Sequence, residues 1–184
     1  MEHEDEITFD EVAAFHGHVC PGLAMGYRMA RGALGQLADV RATDEELVAI
    51  VENDACGVDA LQYLSGCTFG KGNLIFRDHG KQVYTLVHRA SGRAVRVTTA
   101  ESEGMKRRQA AGREGRDEWV QWLLAAPDEE VVTVEEVEVA PPEYAQIRRS
   151  ITCAFCGERA METRARVREG QVACIPCAAE GDSG

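Results

Sequence analysis

Apolar residues recur along the chain with the spacing of helices in some segments and of strands in others. The helical spacing predicts helices near 9–15, 21–37, 57–65, 101–111 and 116–126. Continuous or alternating apolar runs predict strands near 47–52, 73–78, 82–89, 93–99 and 130–139. The turn sequences His79-Gly80-Lys81 and Ser91-Gly92 separate the three middle strands. The first helix has its own start signal, since Thr8 and Glu11 form a capping box.

Two adjacent prolines divide the chain into unequal parts. Pro141 and Pro142 disfavour both a helix and a strand ladder, and therefore indicate a linker. We predict a core domain at 1–140, a linker at 141–148 and a small domain at 149–184. The roughly 40 residues beyond the prolines are too few to bury a sufficient apolar core alone.

The small domain contains a strong zinc signature. Cys153-x2-Cys156 and Cys174-x2-Cys177 are separated by 17 residues, which suits two knuckles that together give tetrahedral S4 coordination. A hairpin signal at Glu169-Gly170 and a helical stretch from Ile175 favour a treble-clef finger with a structural zinc ion. An iron–sulfur cluster is the main alternative, while a redox dithiol needs fewer cysteines.

A second group of metal ligands lies near the start of the chain. The segment 16–22 reads His-Gly-His-Val-Cys-Pro-Gly, so His16, His18 and Cys20 place two imidazoles and a thiol within five positions. Pro21 suits the first position of a helix, which puts Cys20 at the N-cap, where the helix dipole favours a thiolate. A turn with two surface histidines and a small buried cysteine is the alternative.

Cys56 repeats this arrangement. It follows the apolar run 47–51 and precedes a helical pattern, with the carboxylates of Asp54 and Asp59 on either side. The two helix-start thiols and the two histidines are therefore compatible with a shared metal site, although two independent turns would give the same pattern.

The glycine-rich segment 66–72 resembles a phosphate loop only in part. It is one residue too short before Gly-Lys, and Gly72 stands where Ser or Thr should ligate magnesium, so nucleotide hydrolysis is excluded. Lys71 and the loop amides remain candidates for contacting an anion, with a tight glycine turn as the alternative.

Composition narrows the classes of partner. A net charge of −11 in 184 residues disfavours non-specific binding to nucleic acid, because phosphates are repelled. No apolar run approaches the roughly 20 residues that span a bilayer, so no membrane association is expected. The acidic N-terminus lacks the features of a signal or transit peptide, which predicts a cytoplasmic protein. In that compartment seven cysteines favour metal or redox chemistry over structural disulfides.

The ordered motifs HGHVCPG, ENDACGVDALQYLSGCTFGKGNL and RDHGKQVYTL, followed by the four-cysteine finger, resemble the FmdE family of formylmethanofuran dehydrogenase proteins. The resemblance covers about 10–100 and 150–180. It implies an α+β core with a mixed sheet flanked by helices, and a treble-clef zinc finger that some members carry and others lack. It also implies a metal site in the core. The family's His/Cys motif corresponds here to His16, His18 and Cys20, and its second cysteine to Cys56.

Three functions are compatible with these features. The first is an accessory protein that holds or delivers a metal or cofactor for a molybdenum or tungsten oxidoreductase, the association for which the family is named. The second is a stand-alone enzyme in which a core divalent ion, zinc by preference, activates water and Asp54 or Asp59 acts as general base. The third is a thiol-redox protein in which Cys20 and Cys56 form a disulfide.

The charge of the small domain favours a protein partner. Six arginines and five carboxylates follow residue 146, so this part lacks the basic excess that nucleic acid requires. Arg164, Arg166 and Arg168 alternate along the predicted hairpin and so line one face. We expect that face to meet an acidic partner, either a component of the oxidoreductase or the acidic core of a second copy in a homodimer.

Overall fold

The computed structural model describes residues 7–37, 41–110 and 115–180, which fall into two compact units at 1–144 and 145–184. The helices of the first unit are α1 (Phe9–His16), α2 (Pro21–Gln36), α3 (Gly57–Ser65), α4 (Glu103–Ala110), α5 (Arg116–Ala125) and α6 (Asp128–Val131). Its strands are β1 (Leu47–Val51), β2 (Leu74–Phe76), β3 (Val83–His88), β4 (Ala94–Thr99) and β5 (Val132–Val137). The predicted end of α4 at Ala111 lies outside the described residues.

The strands of the first unit form one mixed sheet in the order β2-β1-β3-β4-β5. β1 and β2 run parallel, with Ile50 opposite Ile75, whereas the other neighbouring pairs are antiparallel. Since β1 and β2 are parallel, their carboxyl ends lie at the same edge of the sheet. The turn that carries Cys56 follows β1 at this edge. The α+β fold with a mixed sheet and helices is confirmed.

Helix α2 forms the centre of the hydrophobic core. Leu23, Met29 and Ala30 are fully buried, and the helix contacts β3, β4, β5, α3 and α5. A helix that is apolar around most of its circumference is stable only when it is covered on several sides. This enclosure fixes the position of the α2 N-terminus, where Cys20 lies.

Two predicted strands are shorter in the structure. The predicted strand 73–78 retains only β2. Just before it, the buried side chain of Asn73 donates to the carbonyls of Asp44, which lies just before β1, and Leu47, which starts β1. The predicted strand 130–139 begins at Val132, since the helical turn α6 follows Pro127. The first boundary lies beside long-range bonds of a side chain and the second beside a local helical turn, and neither change alters the order of the strands.

The second unit consists of short elements around four cysteines. They are β6 (Ser150–Thr152), β7 (Arg159–Met161), a 3-10 turn (Glu162–Arg164), β8 (Arg166–Arg168), β9 (Gln171–Ala173) and α7 (Ile175–Ala179). β6 pairs with β7 and β8 with β9, both antiparallel. The sequence predicted the second hairpin and the helix but missed the first hairpin, whose strands have only three residues each.

The predicted arginine face of the second unit is only partly present. Arg164 lies in the 3-10 turn and not on a strand, so strand alternation does not place it beside the other two. Arg168 donates to the carbonyl of Cys177 at 2.8 Å, and its guanidinium lies 4.7 Å from the ring centre of Phe155. Arg168 therefore stabilises its own unit, while Arg166 remains exposed.

Among the described residues, no helix is long and apolar enough to cross a membrane.

Candidate metal centre

Cys20 occupies the N-cap of α2, as its sequence position predicted. Its backbone is extended (φ −152°, ψ 160°), Pro21 starts the helix, and the Leu23 N–H donates to the Cys20 sulfur at 3.4 Å. The side chain is 4% exposed, and it faces the amide of the first helical turn. An N-terminal amide of this kind stabilises negative charge on sulfur.

Cys56 begins α3 but is held differently. Its backbone is already helical (φ −47°, ψ −33°), and its side chain caps no N–H. Burial raises the pKa of the Cys56 thiol, and the adjacent Cys20 sulfur raises it further. Cys56 thus lies at a strand-to-helix turn, as the sequence predicted, but its sulfur makes no capping bond like that of Cys20. A metal ion would displace its proton instead.

His16 is anchored by a carboxylate and presents a free nitrogen. Its Nδ1 lies 2.6 Å from Oδ2 of Asp59, which is on α3. Its Nε2 is buried and has no hydrogen-bond partner among the residues that the structure describes. A carboxylate that bonds one imidazole nitrogen fixes the ring and makes the other nitrogen a better metal ligand. The orphaned Nε2 is therefore what a metal-binding histidine shows before its ion is added.

His18 completes the group from the loop between α1 and α2. Its ring centre lies 4.5 Å from that of His16, at an interplanar angle of 38°. One donor atom from each of His16, His18, Cys20 and Cys56 lies within 4.8 Å of the other three. Four atoms this close can reach one ion at bonds of about 2.0–2.3 Å after small side-chain adjustments. Two thiols and two imidazoles suit zinc and related borderline metals.

Two glycines bring the helices of this site together. A Cβ at Gly26 of α2 would lie 2.2 Å from the Cα of Gly57 at the start of α3. The two backbones therefore touch, which brings the N-termini of both helices, with Cys20 and Cys56, to one place. Sequence reasoning missed this contact, although a glycine inside a predicted helix is a recognisable signal of close backbone approach.

Buried polar side chains support the turn that carries Cys56. The Asn53 amide donates to the Lys81 carbonyl at 2.7 Å and to the Gln82 side chain at 3.1 Å, and its oxygen accepts from the Ala55 N–H. Gln82 in turn donates to the hydroxyl of buried Tyr84 at 3.1 Å. These residues were not predicted, because only the folded sheet brings β1 and β3 side by side.

The remaining predicted site residues have other surroundings. Asp54 is exposed, whereas Asp59 bonds His16 and Gln62. The Lys71 ammonium donates to the carbonyls of Ala42, Thr43 and Asp44 at 3.2–3.3 Å. Three carbonyls can accept all three of its protons, so these contacts support a structural role for Lys71, and its contact with an anion stays a prediction.

The second unit brings its four cysteines together. The sulfurs of Cys153, Cys156, Cys174 and Cys177 lie within 4.8 Å of one another, with Cys156 and Cys174 3.9 Å apart. Backbone N–H groups of Cys156 and Cys174 lower the pKa of the Cys153 thiol to about 6. The Cys174 side chain raises the pKa of Cys177 to about 12. Such widely spread pKa values indicate that the four neighbouring thiols cannot all ionise without a cation beside them. The four sulfurs could therefore hold a metal ion.

Comparison with known proteins places these features in context. The family described as "FmdE, Molybdenum formylmethanofuran dehydrogenase operon" matches residues 15–133. A probable S-adenosyl-L-methionine-binding protein of Archaeoglobus fulgidus is 37% identical over 188 residues, which cover 89% of this chain and 50% of that protein. The chain thus spans half the length of this curated relative.

A solved structure resembles the whole chain. It is the crystal structure of an FmdE-like protein from Syntrophus aciditrophicus, named for a tungsten formylmethanofuran dehydrogenase. The TM-score is 0.72 at 25% sequence identity, and the match covers 97% of this chain and 95% of that one. Since the family match at 15–133 includes His16, His18, Cys20 and Cys56 together with the sheet that positions them, the chain belongs to the FmdE family.

Proposed function

We propose that this chain is a metal-binding accessory protein of a molybdenum or tungsten oxidoreductase. Its core holds a divalent transition-metal ion, zinc by preference, through His16, His18, Cys20 and Cys56. Its second unit holds a structural zinc ion through Cys153, Cys156, Cys174 and Cys177. The core metal ion takes part in the function of the protein, whereas the zinc ion of the second unit stabilises a small domain that docks to the partner.

The observation that carries the core site is the state of His16. One ring nitrogen is bound by Asp59 at 2.6 Å, and the other is buried beside two thiols, with no partner in the described ranges of the chain. A buried nitrogen that lacks a hydrogen bond costs free energy, on the order of 1–3 kcal/mol. A metal ion bound to Nε2 would recover that free energy. A purely structural role for His16 would leave the unpaired nitrogen unexplained.

The accessory role is favoured over a stand-alone enzyme by the placement of the carboxylates. Asp59 already bonds His16, so it is occupied as an orienting group and is a poor general base. Asp54 is exposed, and no described contact directs it to the cluster. The family description names an operon of a molybdenum enzyme, and the solved relative is named for a tungsten enzyme.

Metal stoichiometry tests the two sites separately. Purified protein reconstituted with zinc should bind two equivalents, and the variant with serine at all four finger cysteines should bind one. Adding Cys20→Ala to that variant should remove the remaining ion. Cys67→Ala is the matched control, because Cys67 is an equally buried cysteine outside both groups. Zero equivalents in the finger variant would contradict the core site.

Affinity purification from the native host tests the accessory role. The full-length chain should retain components of a molybdenum or tungsten oxidoreductase, and a chain truncated after residue 144 should lose them. If the chain is recovered by itself and turns over a small substrate in a Cys20-dependent way, the accessory role would be wrong. The function as a stand-alone enzyme would then be favoured. Reversible Cys20–Cys56 disulfide formation without any bound metal would favour the thiol-redox function.

A further inference from the structure

The four donors of the core cluster are held with very different strength. Cys20 is buried in the N-terminal turn of α2 and accepts a backbone N–H from Leu23. His16 is fixed by its bond to Asp59. Cys56 starts α3, and its turn is supported through Asn53. Each of these three donors is therefore set in place before a metal ion arrives.

His18 lacks such support. It lies between the end of α1 at His16 and the N-cap of α2, and it follows Gly17, whose φ of +92° turns the chain. The side chain is exposed, and within the described part of the chain no group hydrogen-bonds to its ring. Its ring packs against the ring of His16. A ligand without an outer partner binds more weakly and loses more freedom on binding.

We propose that His18 is the displaceable ligand of the core site, and that an external ligand takes its coordination position. The inference rests on the proposed core metal. Three anchored protein ligands and one exchangeable position are the arrangement by which metal sites bind external molecules, whereas four fixed ligands make a closed structural site. His18 closes the site when no ligand is present.

The surrounding charges select a neutral ligand. The thiolates of Cys20 and Cys56 balance the charge of a divalent ion, and the carboxylate of Asp59 leaves a net negative charge beside it. An entering anion would be repelled in this partly buried place, more strongly than in bulk water. Neutral nitrogen donors and water are therefore favoured over anions.

Two exposed apolar residues lie close to His18 in the sequence. Phe15 and Val19, the neighbours of the two histidines in sequence, are 55% and 54% exposed. The centre of the Phe15 ring lies 5.3 Å from that of Tyr63, and Val19 follows His18 directly in the sequence. The charges of the site therefore suit a small neutral donor, and Val19 presents an exposed apolar side chain next to His18 in the sequence.

Cobalt(II) substitution makes the exchange visible. Full-length protein with zinc in the finger is loaded with Co²⁺ in the core, and visible absorption reports the ligand set. His18→Ala should retain Co²⁺ with an affinity within about 10-fold of wild type, whereas His16→Ala should lose more than about 100-fold. His88→Ala serves as the control, because His88 bonds Ser91 and lies outside the cluster.

Added imidazole should then restore the wild-type spectrum of His18→Ala in a saturable way. It should also change the spectrum of the wild type at higher concentration, since it must displace His18. Azide at equal concentration should do neither.

The outcomes separate this inference from the proposed function. Absence of a core Co²⁺ signal in wild type would remove the metal site itself. A Co²⁺ signal that His18→Ala and His16→Ala abolish equally would leave the metal site and overturn the displaceable ligand. Tighter binding of azide than of imidazole would overturn the preference for a neutral ligand.

Discussion

The backbones of Gly26 and Gly57 touch where α2 crosses the start of α3. A Cβ at Gly57 would lie 2.5 Å from the Tyr84 hydroxyl and 3.0 Å from the Cα of Gly26. Neither neighbour can withdraw easily, since Gly26 belongs to the buried central helix and Tyr84 is fully buried. The close crossing therefore sets the distance between the Cys20 and Cys56 sulfurs.

Gly57→Ala adds only one methyl group, but it should lower both the stability of the core and the affinity of the core metal site. The added methyl group must push α3 away from α2, which costs about 1–3 kcal/mol in overpacking. It should also lower the affinity of the core for Co²⁺, because the two cysteines separate. Urea denaturation and metal titration measure both effects. Gly35→Ala, at an exposed position of α2, should be neutral or slightly stabilising and leave metal binding unchanged.

Asp59→Asn should weaken metal binding without unfolding the protein. The amide cannot hold His16 as the carboxylate does, and loss of such an outer partner typically lowers metal affinity by about 10–100-fold. Competition with a chromogenic chelator measures the change. Asp54→Asn is the matched control, since Asp54 is an exposed carboxylate in the turn before α3. Equal losses in both variants would indicate a general effect of charge and not the bond to His16.

Much of this architecture is readable from sequence where local chemistry decides it. Cys20 at an N-cap follows from Pro21, and the capping box of α1 forms as expected, with Glu11 bonding the Thr8 N–H at 2.7 Å. The clustering of two helix-start cysteines with two histidines also follows the predicted pattern. In these cases the residue types within a few positions indicate the geometry.

Long-range contacts account for what the sequence did not reveal. The bond from His16 to Asp59 joins residues 43 positions apart, so the sequence could not show that this carboxylate lies against the histidine. Lys71 reaches carbonyls 27–29 positions earlier in the chain. Such pairings depend on how the helices and strands pack, and no local pattern specifies them.

Arg28 links the central helix to the end of α5. It is 8% exposed, and its guanidinium donates to the carbonyls of Leu123 and Ala126 and to Asp128, the last at 2.6 Å. Arg28→Met should destabilise the core by about 2–4 kcal/mol, because it leaves the buried Leu123 carbonyl and the partly buried Ala126 carbonyl without this donor near the C-terminus of α5.

Asp128→Ala is the informative comparison for Arg28. The Asp128 side chain is 76% exposed, so its part of the ion pair is screened by water and its loss should cost at most about 1 kcal/mol. Urea denaturation of both variants measures the difference. A larger loss for Asp128→Ala than for Arg28→Met would show that charge pairing, and not the carbonyl bonds, holds α5 to α2.

The second unit should fold only with its metal. Its strands have three residues each, and several of its large apolar side chains are exposed, including Met161 at 55% and Val167 at 77%. Packing of this extent cannot replace the binding free energy of a structural zinc ion, which is about 10–16 kcal/mol in small zinc domains. Cys174→Ser removes one of the four clustered sulfurs. We expect this variant to lose amide protection and become protease-sensitive after about residue 150, while β1, β3 and α2 stay protected.

Hydrogen exchange read by mass spectrometry resolves the two units in one experiment. Wild-type protein stripped by a chelator should show the same pattern as Cys174→Ser, and zinc should restore protection to the wild type alone. Cys67→Ser controls for loss of a buried thiol in the core and should leave the second unit protected. Unchanged protection of 150–180 in the stripped protein would mean that the finger is held by its own packing, and the structural role of zinc there would be wrong.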